Sequence, residues 1–295
     1  MSAIGGAGRG PGGAWLRPAD DPDGAGGAAP GATSPSRADA PPPRTRPAVA
    51  ALPFGRGARA AEILSKKDFR EPSGLAFHPK RGTLFVVGDC GHVAEVTRDG
   101  EVLRKRRLRH ADLEGVTVGP RGLVYAVVEE SPPRIIELDP DTLERRREFP
   151  IKTKHEGERV IARRANDGLE GLVYVPSEKA FFALNQDHPP RIVRLDVPLG
   201  SPDGGKARIV EVIDIAGSVR EWASDLAHDP RTGHFLVTEA GDGTVPGALH
   251  ELGRDGKRIR SVRLPGRCQE GFALDPRGSA YVAQDTGGVL RVDPR

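Results

Sequence analysis

Five short stretches recur along the chain: Ser73-Gly-Leu, Glu114-Gly-Val, Glu170-Gly-Leu, Ser224-Asp-Leu and Glu270-Gly-Phe. Six residues after each first member stands a proline: Pro79, Pro120, Pro176, Pro230 and Pro276. An apolar run follows each and ends in an acidic or amide residue: Asp89, Glu129, Gln186, Glu239 and Asp285. Spacing this regular is an internal repeat, and a repeat constrains the fold more than any propensity does. Each unit holds short apolar runs separated by turn signals such as His78-Pro-Lys-Arg-Gly82 and Asp229-Pro-Arg-Thr-Gly233. Four strands joined by tight turns make one β-meander, and meanders at a constant period predict a β-propeller.

The fifth unit runs out of chain after its third strand, Val289–Val292. Residues 61–69 form a strand-like segment with no partner of their own. The expected fold is therefore all-β, a five-bladed propeller over 61–295, closed by the N-terminal strand. A β-sandwich is the competing arrangement, but a sandwich needs no constant spacing.

Composition separates the ends of the chain. Residues 1–60 hold 12 Gly, 15 Ala and 10 Pro and no Lys or Glu. They lack apolar periodicity, so a disordered tail is expected there. That tail carries seven Arg and four Asp; the remaining 235 residues carry 37 basic and 37 acidic groups. The net charge of +3 thus resides in the tail, and the neutral body gives no support for nucleic-acid binding. The runs Arg104–Arg107 and Arg145–Arg147 fall on outer strands and read as charged edges that block aggregation. No apolar stretch is long enough for a transmembrane helix, and no ordinary export signal is visible. A monomeric cytoplasmic chain is the default expectation, with export as the alternative. Cys90 and Cys268 are too few for a disulfide scaffold, and free thiols are expected over a bridge.

In a propeller the inner strands line the central channel. Their first residues and the ends of the second strands share one mouth. The repeats therefore gather Glu114, Glu170 and Glu270 with Asp225 in an inner ring, flanked by Asp89, Glu129, Glu239 and Asp285. Crowded carboxylates repel unless neutralised, and hard oxygen ligands without a ring of histidines favour Ca²⁺ over zinc or copper. The alternative is that these acids bond backbone N–H groups of neighbouring blades. Arg134 and Arg191, in the matching Ser-Pro-Pro-Arg and His-Pro-Pro-Arg, would reach the same mouth and could grip an anion. His92, His110 and His188 also fall near it and read as polar loop residues. No nucleophile elbow, P-loop or His-Glu-x-x-His is present.

The stretches Glu71-Pro-Ser-Gly-Leu-Ala-Phe, Leu169-Glu-Gly-Leu-Val-Tyr, Ala223-Ser-Asp-Leu-Ala and Gln269-Glu-Gly-Phe-Ala-Leu-Asp-Pro-Arg-Gly-Ser-Ala-Tyr-Val resemble the SdiA-regulated family, the YjiK-like propellers. The resemblance spans about 61–295. It implies a propeller associated with calcium, and a phytase-like phosphoesterase activity as one of its functions. Two expectations follow. One is a Ca²⁺-binding sensor or interaction platform with a protein or small phosphorylated partner. The other is a Ca²⁺-dependent phosphoester hydrolase.

Overall fold

A computed structural model describes residues 52–54, 58–109, 111–161, 168–186, 189–220, 222–241 and 244–294. Within them the five repeats become five four-stranded antiparallel sheets. Blade one is Pro72–His78, Thr83–Gly88, His92–Val96 and Val102–Arg107. Blade two is Leu113–Val118, Val124–Val128, Arg134–Leu138 and Arg145–Pro150. Blade three is Leu169–Val175, Ala180–Asn185, Arg191–Asp196 and Arg208–Asp214. Blade four is Ala223–Asp229, His234–Glu239, Ala248–Leu252 and Arg258–Arg263. Blade five is Gln269–Leu274, Ala280–Gln284 and Val289–Val292, and Ala60–Leu64 pairs with the last of these. A two-residue-per-strand hairpin, Lys154–His155 with Glu158–Arg159, is inserted between blades two and three.

The turns act as their residues require. The Gly82 and Gly233 N–H groups donate to His78 O and Asp229 O at 2.9 and 2.8 Å, and both glycines have positive φ. Only glycine adopts that conformation without strain. Second strands are buried throughout in four blades and nearly so in the fourth. Their alternate faces feed apolar clusters that fill the gaps between neighbouring blades, such as Phe85, Val87, Leu113, Val124 and Ile136 between blades one and two. Leu64 joins Phe69, Leu75 and Tyr281 between blades five and one. Leu52, Phe54 and Ala58, inside the expected tail, pack on the cluster of Leu236, Leu249 and Phe272. The rest of that expected tail before residue 52 lies outside the described residues, as do His110 and His188.

The Arg-rich outer strands do more than blunt an edge. Arg104 pairs with buried Glu95 and donates to the carbonyls of Pro140 and Asp141 in the next blade. Arg147 pairs with buried Glu137 at 2.6 Å and donates to Leu199 O and Ser201 O. Arg254 spans Glu178 and Glu211, and Arg98 joins Asp275 across the ring closure. Guanidinium forks suit this because each can satisfy two acceptors at once. Adjacent blades are thus tied at the rim by arginine and between their faces by apolar packing.

At the axis the blades meet backbone to backbone. A Cβ on Gly74 would lie 2.2 Å from Glu114 O, one on Gly115 2.3 Å from Leu172 N, and one on Gly171 2.3 Å from Leu226 N. The glycines after these motif heads are therefore needed by the next blade. Gly115→Ala is expected to destabilise the fold by about 3 kcal/mol, the upper range for overpacking. Gly217→Ala, with nothing within 4 Å, is expected to change stability by less than about 0.5 kcal/mol. Urea unfolding of the two variants checks the contrast; equal effects would contradict it.

Candidate metal centre at the channel mouth

Each inner strand carries a register irregularity at the motif: between Pro72 and Gly74, Leu113 and Val116, Leu169 and Leu172, Ala223 and Asp225, and Gln269 and Phe272. A bulge re-aims one side chain out of the ladder. Here the re-aimed residue is the motif head, Ser73, Glu114, Glu170, Ser224 or Glu270. The second-strand ends are anchored alongside. The N–H groups of Glu129, Gln186, Ala240 and Asp285 donate to the carbonyls of Asp112, Gly168, Trp222 and Cys268, at 2.9–3.1 Å.

The carboxylates then divide by their partners. Glu129 Oε1 accepts from Gly168 N at 2.9 Å and joins blade two to blade three. Asp225, fully buried, accepts from Leu226 N and from Phe272 N of blade five, both at 2.7 Å. Burial pushes Asp225 up to about 8 against those two donors. Ser224 Oγ donates to Gln269 O at 2.9 Å. These groups lock blades together. Glu239 is not brought to the mouth cluster. It pairs in register with Ala223, one residue short of the position that Glu129 and Asp285 occupy. A one-residue shift turns a strand side chain to the other face. Glu239 instead meets His250 Nε2 at 3.2 Å and the Arg220 N–H at 3.0 Å. Burial pushes it up, but these partners outweigh burial and hold it below the usual carboxylate range.

The three head glutamates have no such partners. Among the described residues no basic side chain pairs with Glu114, Glu170 or Glu270, and no donor bonds their carboxyl groups. Glu170 is buried, and Glu114 and Glu270 are half-buried within the ring. Burial, then the charges of Glu170, Asp89 and Asp112, drives Glu114 well above its usual range. Burial, then Glu129 and Glu270, does the same to Glu170. Glu270 is pushed up to about 8 by burial and by Asp285 and Asp89. Asp285, exposed at the rim, is raised chiefly by burial of its carboxyl among protein atoms and by Asp89.

Asp112 belongs to this group, although the motif spacing does not reveal it. Carboxylate oxygens of Asp89, Asp112 and Glu114 all lie within 4.8 Å of one another. Asp112 is raised to about 6, first by burial and then by Asp89, Glu129 and Glu130. It stands two residues before its motif head, the place Glu71 holds in blade one, and that shared offset is the sequence signal for it. Glu71, Trp222 and Cys268 occupy this place in blades one, four and five with φ of 48°, 56° and 46°. Three left-handed non-glycine residues at one equivalent position, each costing about 1–3 kcal/mol, mark a mouth held in a strained shape. Ser73 Oγ donates to Asp89.

Arg134 does not stand free beside these acids. It pairs with Glu130 at 3.2 Å and Glu148 at 3.7 Å. Arg191 opens the matching strand of blade three and makes no ion pair among the described residues. His92 opens a strand and packs edge-on against Phe69. Cys90 and Cys268 form no disulfide.

The donor set suits a hard cation. It is all oxygen, it is crowded, and its negative charge is otherwise relieved only by protons. Asp112, Glu114, Glu170, Glu270 and Asp285 bind protons more tightly folded than unfolded, so their contribution to stability is full at low pH and is lost as pH rises through the folded values. With chelator present, the melting temperature is expected to fall between pH 5 and pH 8. Glu270→Gln is expected to flatten that slope; a slope unchanged by the variant in calorimetry would contradict the assignment.

A family model described as SdiA-regulated matches residues 65–286. No curated protein matches the sequence. Among solved structures, a Myxococcus xanthus glutaminyl cyclase shares 15% identity over 79% of this chain and 94% of its own, with a TM-score of 0.53. A Xanthomonas campestris gluconolactonase shares 18% identity over 82% of this chain and 80% of its own, with a TM-score of 0.44. The likeness to the cyclase is one of fold.

Proposed function

The chain belongs to the SdiA-regulated family, and from that premise we propose that it is a Ca²⁺-binding propeller acting as a sensor or interaction platform. One observation carries the reading: Asp89, Asp112 and Glu114 present oxygens within 4.8 Å of one another, with no cationic side chain paired to them among the described residues. Asp89 comes from blade one and the other two from blade two, so a cation there would bridge two blades. Glu170 and Glu270 would hold the next ring of negative charge. When bound, Ca²⁺ supplies positive charge and open coordination positions. The mouth then changes from a face that repels anions to one that accepts a phosphate or carboxylate of a partner.

Phosphoester hydrolysis would need a cation grip beside the metal. Arg134 is already engaged by Glu130 and Glu148, and Arg191 opens a strand of blade three rather than of the two blades that carry Asp89, Asp112 and Glu114. The binding reading therefore stands ahead of the catalytic one, and p-nitrophenyl phosphate is expected to show no Ca²⁺-dependent turnover.

Calcium at 100 times its dissociation constant adds about 2.7 kcal/mol, so the melting temperature should rise by about 5–10 °C. Glu114→Gln keeps the shape but removes one charge. It is expected to weaken Ca²⁺ binding at least tenfold and to raise the melting temperature of the metal-free protein. A flat Ca²⁺ titration of the unaltered chain up to millimolar concentration would overturn the proposal.

A further inference from the structure

The inner strands run away from the carboxylates and end at a second opening. Their last residues and the turns that follow line a cavity of about 440 Å³ to which all five blades contribute. From Glu114 to Gly119 is five residues, about 17 Å of strand, so the rim of the cavity lies at the opposite end of the channel from the acids, while its floor reaches Val116 and Phe272, two residues beyond Glu114 and Glu270. The volume is that of a small-molecule site, about 300–1,000 Å³.

Its walls are apolar: Phe77, Val118, Tyr174, Ala227 and Leu274 each come from a different blade and are partly exposed. They are also pre-formed. His78 Nε2 shares a 3.0 Å hydrogen bond with Gly122 O across blades one and two. The Tyr174 N–H donates to Thr117 Oγ1 at 3.0 Å across blades two and three. No Asp or Glu lines the cavity, whereas Lys80 and Arg121 do. Both are exposed at its rim, and neither makes an ion pair among the described residues. Burial holds His228, also in the wall, below its usual range and so neutral at pH 7.

We infer that this cavity binds a small organic anion with an apolar body, of the aliphatic or aromatic carboxylate or sulfonate class. The body fills the space between Phe77, Val118, Tyr174 and Leu274, and the charged end meets Lys80 and Arg121. Apolar contact supplies affinity and the rim charges supply orientation. The acidic mouth at the other end disfavours the same ligand, so the anion has one entrance. The site is independent of the cation at that mouth.

8-Anilinonaphthalene-1-sulfonate is a suitable probe, titrated into the full chain with chelator present. The expected result is saturable fluorescence enhancement with one site per chain, displaced by octanoate at least tenfold more readily than by octanol. The double variant Lys80→Glu, Arg121→Glu should weaken probe binding at least tenfold while the thermal transition persists. Ala227→Trp, which fills the cavity, should abolish it. Because Lys80 and Arg121 are exposed, the double variant decides the matter even where the tryptophan variant fails to fold. No saturable enhancement, equal displacement by octanol, or an affinity unchanged by the double variant would overturn the inference.

Discussion

The structure depends on how closely its five inner strands approach one another. At Gly74, Gly115 and Gly171 the next blade's backbone stands where a Cβ would be. That approach leaves no room for side chains at these positions, and the bulge beside each one re-aims its motif head. Three of the five heads are glutamates. The contact that closes the ring therefore also concentrates negative charge at one end of it. Blade four keeps the geometry by another route. Asp225 stands where the other blades have glycine, and its carboxylate receives the Phe272 N–H of the neighbouring blade.

The acids at the mouth are of two kinds. Glu129 and Asp225 are spent on backbone donors of adjacent blades, while Glu114, Glu170 and Glu270 have no donors among the described residues and are driven toward the protonated form. Elsewhere the molecule neutralises its buried acids with care: Glu95, Glu137 and Glu251 each hold an arginine. A fold that pairs its rim carboxylates and leaves its axial ones unpaired concentrates an unmet demand for positive charge at the mouth. Protons meet it at low pH, and a divalent cation is the proposed occupant at neutral pH.

The repeat spacing made the five blades legible, because each blade spends the same residues on the same turn and the same axial contact. The head glutamates were legible for that reason. Three features were not. Glu239 falls at the expected offset, but the register places it one residue early, and strand parity then turns it toward His250. Asp112 lies outside the repeated triplet and becomes visible only when Glu71 is recognised as its counterpart. The arginine runs looked like edge charge, yet Arg104, Arg106 and Arg147 also reach carbonyls of the next blade, contacts between segments that sequence spacing does not encode.

Proton release tests the central claim most directly. If the unpaired carboxylates hold protons that a cation displaces, adding Ca²⁺ to the weakly buffered protein at pH 6.5 should release at least about half a proton per ion bound, as linked titration requires. Glu114→Gln should release fewer. Calcium bound with no proton release, or no calcium bound at all, would contradict the account.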